Sequence, residues 1–139
     1  MTERLVGMHL RGEELLFYQA AGRGELIYAR CAVCNVASLT PRWFCTSCGS
    51  EDMVASVSER VGVVESITTV HRGNRPAFKA PYQVGIIALD EGFRLMASVM
   101  GEDCTIGDPV VIEFDAQSDG LAVPVARKRT NGAAALQAP

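Results

Sequence analysis

The chain has 139 residues, enough for one ordinary domain or two very small ones joined closely. Hydrophobic residues make up 48% of it, so it can bury a core and is not globally disordered. A formal net charge of -3 and an aromatic content of 6% count against a nucleic-acid binder, which needs cations for phosphates and rings for bases.

Residues 1–11 read as an arm. Met1-Thr2-Glu3-Arg4 opens no long apolar stretch, so neither a signal peptide nor a membrane span is expected. The chain is read as cytoplasmic, where thiols stay reduced. Gly12 to Ala21 is helical in composition, with Glu13 and Glu14 in the first turn and Gly22 after its end. About three turns cannot persist alone, so this helix must dock on something. Gly24 then opens a short strand, Glu25 to Arg30, that runs directly into Cys31.

Cys31-Ala32-Val33-Cys34 and Cys45-Thr46-Ser47-Cys48 are two C-x-x-C pairs with ten residues between them. Two residues between thiols let one tight turn aim both sulfurs at a single ion, and two such knuckles complete a tetrahedral thiolate site. Asn35 and Gly49 follow the second cysteine of each pair. A knuckle needs a left-handed residue there, and both types tolerate that conformation. The pattern predicts structural zinc on Cys31, Cys34, Cys45 and Cys48. A rubredoxin-like iron centre has the same ligands. A thioredoxin-type redox pair fits worse, because no βαβ pattern surrounds either motif.

Beyond Asp52 the pattern changes to strands. Val54 to Ser58 reads as a short linking strand. The barrel strands are predicted over Gly62 to Val70, Tyr82 to Leu89, Phe93 to Val99, Val110 to Phe114 and Leu121 to Val125. Asp90-Glu91-Gly92 is a hairpin connection, with Gly92 available for positive φ. Ile86 and Ile87 read as buried on both faces. Five short strands suit a small Greek-key barrel of the OB type, with little room for a helix between Met100 and Asp108. The expected organisation is an arm over 1–11, helix and ribbon over 12–52, barrel over 53–127 and a mobile tail over 128–139.

Cys104 has no partner in the pattern and is expected as a core or half-buried thiol. His71 reads as a strand-end histidine, and His9 carries no signal. The connection from His71 to Pro81 is long for a hairpin and carries Arg72, Arg75 and Lys79 with one aromatic, Phe78. Three cations on the loop that OB folds use for ligands suit phosphates, of nucleic acid or of a nucleotide-bearing cofactor. A solvated loop accounts for the same residues. No phosphate-cradling glycine loop, nucleophile elbow or acid and base pair can be made out.

An ordered series of motifs resembles one family. Phe17-Tyr18, Gly24-Glu25-Leu26, Arg30-Cys31-x-x-Cys34 and Pro41-Arg42-x-x-Cys45-x-x-Cys48-Gly49-Ser50 look like its rubredoxin-like zinc ribbon. Gly62-Val63-Val64, Val70-His71-Arg72, Pro76-Ala77-Phe78, Pro81-Tyr82, Leu89-Asp90-Glu91-Gly92 and Ile106-Gly107-Asp108-Pro109-Val110 look like its OB half. This is the domain of unknown function 35 family of small acyl-CoA-associated proteins, and the resemblance covers residues 13–127. Asn35 stands where the family usually has glycine.

The resemblance implies a mainly β fold, an N-terminal helix and zinc ribbon followed by a five-stranded OB-fold barrel. It also implies a non-catalytic accessory subunit of a thiolase-like acyl-CoA-processing complex, which stabilises its partner and helps hold the CoA nucleotide. Arg72, Arg75 and Lys79 are the candidate contacts to CoA phosphates. Some members pair instead with hydratase or aldolase subunits. A nucleic-acid-binding ribbon and OB module, and an independent enzyme or redox carrier, are the remaining alternatives; no membrane role is expected.

Overall fold

The computed structural model describes residues 12–39, 44–73, 81–101, 104–116 and 121–129. The chain falls into two compact units, one reaching to Ser58 and including Phe114–Val123, the other Glu59–Glu113 with the stretch from Pro124.

The first unit opens with α1 (Gly12–Gly22). The helix keeps Gly22, and the left-handed residue that stops it is Gly24, with φ 79°. The Gly24 N–H donates to the Ala21 carbonyl and the Glu25 N–H to the Ala20 carbonyl, both at 2.9 Å. This is a Schellman-type closure that only a residue free of Cβ strain adopts cheaply. Phe17, Ala20 and Ala21 bury one side of the helix, as does Leu26 just beyond it.

Three strands follow: β1 (Ile27–Cys31), β2 (Ala37–Ser38) and β3 (Met53–Val57), in the antiparallel order β2-β1-β3. The predicted linking strand is therefore part of this sheet. It pairs residue for residue with β1, from Ile27 opposite Val57 to Cys31 opposite Met53.

The barrel, most of which lies in the second unit, is built on β4 (Val61–Val70), β5 (Tyr82–Leu89), β6 (Arg94–Met100), β7 (Pro109–Ala116) and β8 (Ala122–Lys128). They close a barrel in the order β4-β5-β6-β8-β7, with β6 and β8 parallel. That is the OB arrangement, and each strand lies within a few residues of its predicted position. Val64, Ile87, Leu95, Val110, Ile112 and Val125 fill the interior. A bulge between Val64 and Ser66 bends β4, which pairs with β5 on both sides of the bulge and with β7 over Val61–Val63. Gly62 sits where β4 crosses close to β5: a Cβ there would lie 2.3 Å from the Ala88 carbonyl oxygen. Gly92 takes φ 108° in the hairpin between β5 and β6, as its position predicts.

Ile87 is fully buried, but Ile86 is only half-buried, so β5 has one core face rather than two. Its outward residues are aliphatic, and that hides the alternation in the sequence. Cys104 is buried as expected, and burial, with the Asp108 carboxylate next, pushes its thiol up. The Ile106-Gly107-Asp108-Pro109 motif forms the turn into β7. The Asp108 carboxylate accepts from the Thr105 N–H at 2.9 Å and pairs with Lys128 at 3.3 Å. The Gly107 N–H donates to the Val64 carbonyl, and the Val64 N–H to that of Asp108. The cytoplasmic expectation meets one structural fact: among the described residues, no helix is long and apolar enough to cross a membrane.

Candidate metal centre

The two cysteine pairs fold into turns that repeat each other bond for bond. In the first, the Asn35 N–H donates to the Cys31 carbonyl at 2.9 Å and the Cys31 N–H to the Val36 carbonyl at 3.0 Å. In the second, the Gly49 N–H donates to the Cys45 carbonyl at 2.9 Å and the Cys45 N–H to the Ser50 carbonyl at 2.7 Å. Asn35 and Gly49 have φ of 68° and 81°, the left-handed conformation expected of them. The leading sulfur of each knuckle accepts two backbone N–H groups. Cys31 Sγ takes those of Val33 and Cys34, both at 3.4 Å. Cys45 Sγ takes those of Ser47 at 3.3 Å and Cys48 at 3.5 Å.

The knuckles face each other. Cys31 Sγ lies 3.6 Å from Cys48 Sγ, and Cys34 Sγ 3.5 Å from Cys45 Sγ. All four sulfurs lie within 4.8 Å of one another. A tetrahedron of thiolates at metal–sulfur bonds of about 2.3 Å has edges of about 3.8 Å, so the sulfurs need only small movements to ligate one ion. All four thiols are free, with Cys31 and Cys45 buried, Cys34 half-buried and Cys48 exposed.

The local field already separates the thiols. The Cys34 N–H is the main cause holding Cys31 low, at about 6, against the opposing effect of burial. The Cys48 and Ser47 N–H groups hold Cys45 below the ordinary thiol value. The Val36 N–H acts in the same sense on Cys34, but burial and the three facing sulfurs push that thiol up to about 12. Four sulfurs sharing one small space cannot all carry charge unless a cation lies between them, which is what a divalent metal supplies.

Two supports escaped the sequence reading. Arg30 donates through Nη1 to the Asn35 carbonyl at 2.9 Å and lies 5.5 Å over the Tyr28 ring, pinning the first knuckle from behind. The signal for it was present, a cation and an aromatic two apart on the strand that ends in Cys31. The Ala32 N–H donates to the Asp52 carbonyl at 2.9 Å, joining the first knuckle to the chain leaving the second.

The other candidate site residues are not gathered with these. Arg72 is exposed just past the end of β4, while Arg75 and Lys79 lie outside the described residues. His71 is likewise exposed at the end of β4, and His9 lies outside the described residues.

Residues 19–54 match the rubredoxin-like zinc ribbon domain of ChsH2, and residues 56–115 match the ChsH2 C-terminal OB-fold domain. The solved "Ltp2-ChsH2(DUF35) aldolase" contains a chain 31% identical to this one, with a TM-score of 0.75 over 87% of this chain and 98% of that one. The chain belongs to the ChsH2 (DUF35) family. A DUF35 protein of unknown function from Sulfolobus solfataricus shares the fold at 18% identity, with a TM-score of 0.57 over 82% of this chain and 83% of that one. A probable enoyl-CoA hydratase alpha subunit from Thermomonospora curvata is 32% identical over 118 residues, 83% of this chain. The chain spans 37% of that relative's length. Membership fits the donor set, since four thiolates in a tetrahedron are the ligands of a structural zinc ribbon.

Proposed function

We propose that this chain is a non-catalytic, zinc-binding accessory subunit of a thiolase-like acyl-CoA-processing complex, stabilising its partner and helping to hold CoA. The observation that carries the reading is the closed metal centre. Cys31, Cys34, Cys45 and Cys48 fill every tetrahedral position, so the ion has no open site for water or substrate and serves the fold. The match to a zinc-ribbon domain supports zinc over iron. Similarity over 98% of one component of an aldolase named for two proteins supports an enzyme partner.

In this reading the helix and the ribbon sheet, which runs on through β3, dock on the enzyme, and the barrel of β4–β8 lies beside its CoA entrance. Arg72, Arg75 and Lys79, on the connection between β4 and β5, meet the CoA phosphates. A cytoplasmic setting keeps the five thiols reduced. The second reading, an accessory subunit of an acyl-CoA hydratase complex, is favoured by the 32% identity to the Thermomonospora curvata protein.

The test is affinity purification of the tagged, zinc-loaded chain from its own cells, with mass spectrometry of whatever is retained in stoichiometric amount. A thiolase-like subunit is the expected result, and a hydratase subunit selects the second reading. Retention of no acyl-CoA enzyme overturns both.

A further inference from the structure

The outer surface of β4, β5 and β6 in the barrel unit has no role in the metal centre or in the proposed CoA contacts. Its members follow from register. Val63 pairs with Ala88, which pairs with Arg94; Ser66 pairs with Ile86, which pairs with Met96; Thr68 pairs with Val84, which pairs with Ser98. The alternate residues Val64, Ile87 and Leu95 turn into the core. At the centre of the outer surface Met96 is 65% exposed beside the half-buried Ile86, and Val63 is 42% exposed.

On an OB barrel this is the side that takes the ligand, and its chemistry identifies the ligand class. A polyanion requires cations and a base requires aromatic rings. The three rows supply a single charge, Arg94, which Glu65 at the bulge neutralises at 2.6 Å. They carry no aromatic side chain, and the next row on the same face, Val70 with Tyr82, adds a single half-buried ring at its edge, short of a stacking platform. A patch without net charge, in which Val63, Val84, Ile86, Ala88 and an adaptable methionine lie among the small hydroxyls of Ser66, Thr68 and Ser98, is complementary to an equally uncharged, largely apolar protein surface.

Two facts favour a different protein over a second copy. One relative carries a region similar to 83% of this chain as 37% of its own longer chain, and another similar chain is one component of an aldolase named for two proteins. We infer that the outer face of β4–β6, centred on Met96 and Ile86, docks on an uncharged apolar surface of the enzyme subunit. The inference rests on the accessory-subunit reading and adds a second contact surface to the ribbon and helix.

The experiment measures the affinity of the full zinc-loaded chain for the acyl-CoA enzyme subunit identified by co-purification, at low and high salt. Met96→Glu places a charge at the centre of the face on an exposed side chain, so zinc content and the melting transition should be unchanged. The expected result is at least a roughly tenfold weaker Kd, with wild-type binding nearly insensitive to salt. If Met96→Glu loses zinc or its melting transition, Met96→Gln replaces it, with a weakening of roughly threefold expected and no change overturning the inference. Binding within twofold of wild type for a folded Met96→Glu also overturns it. So does a substitution that alters only self-association of the isolated chain, since the face would then belong to a second copy. Wild-type chain that binds no acyl-CoA enzyme fails the accessory reading itself, whereas binding that survives the substitution fails this inference alone.

Discussion

Asn35 and Gly49 occupy the same place in two knuckles and make the same bond, each N–H donating at 2.9 Å to the carbonyl of its leading cysteine with φ positive. A Cβ on Gly49 would meet nothing within 4 Å, so any cost of adding one is backbone strain alone. Gly49→Ala should destabilise the ribbon by about 1 kcal/mol, and Gly49→Val by more. Asn35→Gly should be neutral or mildly stabilising. Zinc retention against a competing chelator, measured beside thermal unfolding, checks the order; equal behaviour of Gly49→Val and wild type would refute it.

The four cysteines should be equally indispensable despite unequal burial. Cys31 is 1% exposed and Cys48 lies open to solvent. A surface substitution with no special role costs within about 0.5 kcal/mol. A zinc ligand is different, because the metal supplies on the order of 10 kcal/mol to folding. Cys48→Ser should therefore unfold the first unit as thoroughly as Cys31→Ser, and wild type should carry about one zinc per chain. Elemental analysis with circular dichroism decides between a ligand and a spare surface thiol.

These two predictions rest on features legible in the sequence, because knuckle chemistry is local: ligand spacing and the left-handed residue lie within five positions. Strand limits were legible for the same reason, since Gly92 and the Gly107-Asp108-Pro109 turn punctuate them. The parallel pairing of β6 with β8 is not local, and no spacing in the chain encodes it. Val54 to Ser58 read as a link because its partner β1 lies across the cysteine segment. Ile86 read as core because an aliphatic outer face looks the same as an aliphatic interior when the two alternate along one strand.

Two barrel glycines should differ in what they tolerate. At Gly62 a Cβ would fall 2.3 Å from the Ala88 carbonyl oxygen and 3.0 Å from two further backbone atoms, none of which can swing aside. At Gly85 the nearest atoms are the Ser66 carbonyl oxygen at 2.8 Å and a Val99 methyl at 3.0 Å, and the methyl can yield. Gly62→Ala should cost about 3 kcal/mol or more, and Gly85→Ala nearer 1–2 kcal/mol. Denaturant unfolding of the two variants gives the comparison, and a reversed order would show that β4 moves more readily than its register implies.

Asp108 carries the acid sensitivity of the turn into β7. The Thr105 N–H, and after it Lys128, hold its carboxyl below the ordinary aspartate range, against the opposing effect of burial. A carboxyl held low in the fold stabilises it above the unfolded value of about 3.9, and that contribution is lost as pH falls through the lower folded value. Asp108→Asn should thus melt a few degrees below wild type near pH 6. The difference should close as pH drops below about 4. Thermal midpoints of the zinc-loaded proteins from pH 6 downward test this, and a difference independent of pH would assign the effect to geometry rather than charge.

The proposed CoA contact is carried by the charge of three side chains on the connection between β4 and β5. If Arg72, Arg75 and Lys79 meet CoA phosphates, they act at the nucleotide end, far from the thioester carbon where chemistry occurs. They would then bind ground state and transition state equally, so their loss raises KM and leaves kcat alone. Exposed cations facing phosphates are screened by salt, with a Debye length of about 10 Å at 0.1 M, so the effect belongs at low ionic strength. Triple replacement by alanine should raise the KM of the intact complex for its CoA ester roughly threefold to tenfold in dilute buffer, and by less at high salt. A fall in kcat instead would mean that the substitutions disturb assembly with the enzyme. An unchanged KM in dilute buffer would leave these cations as an ordinary solvated loop.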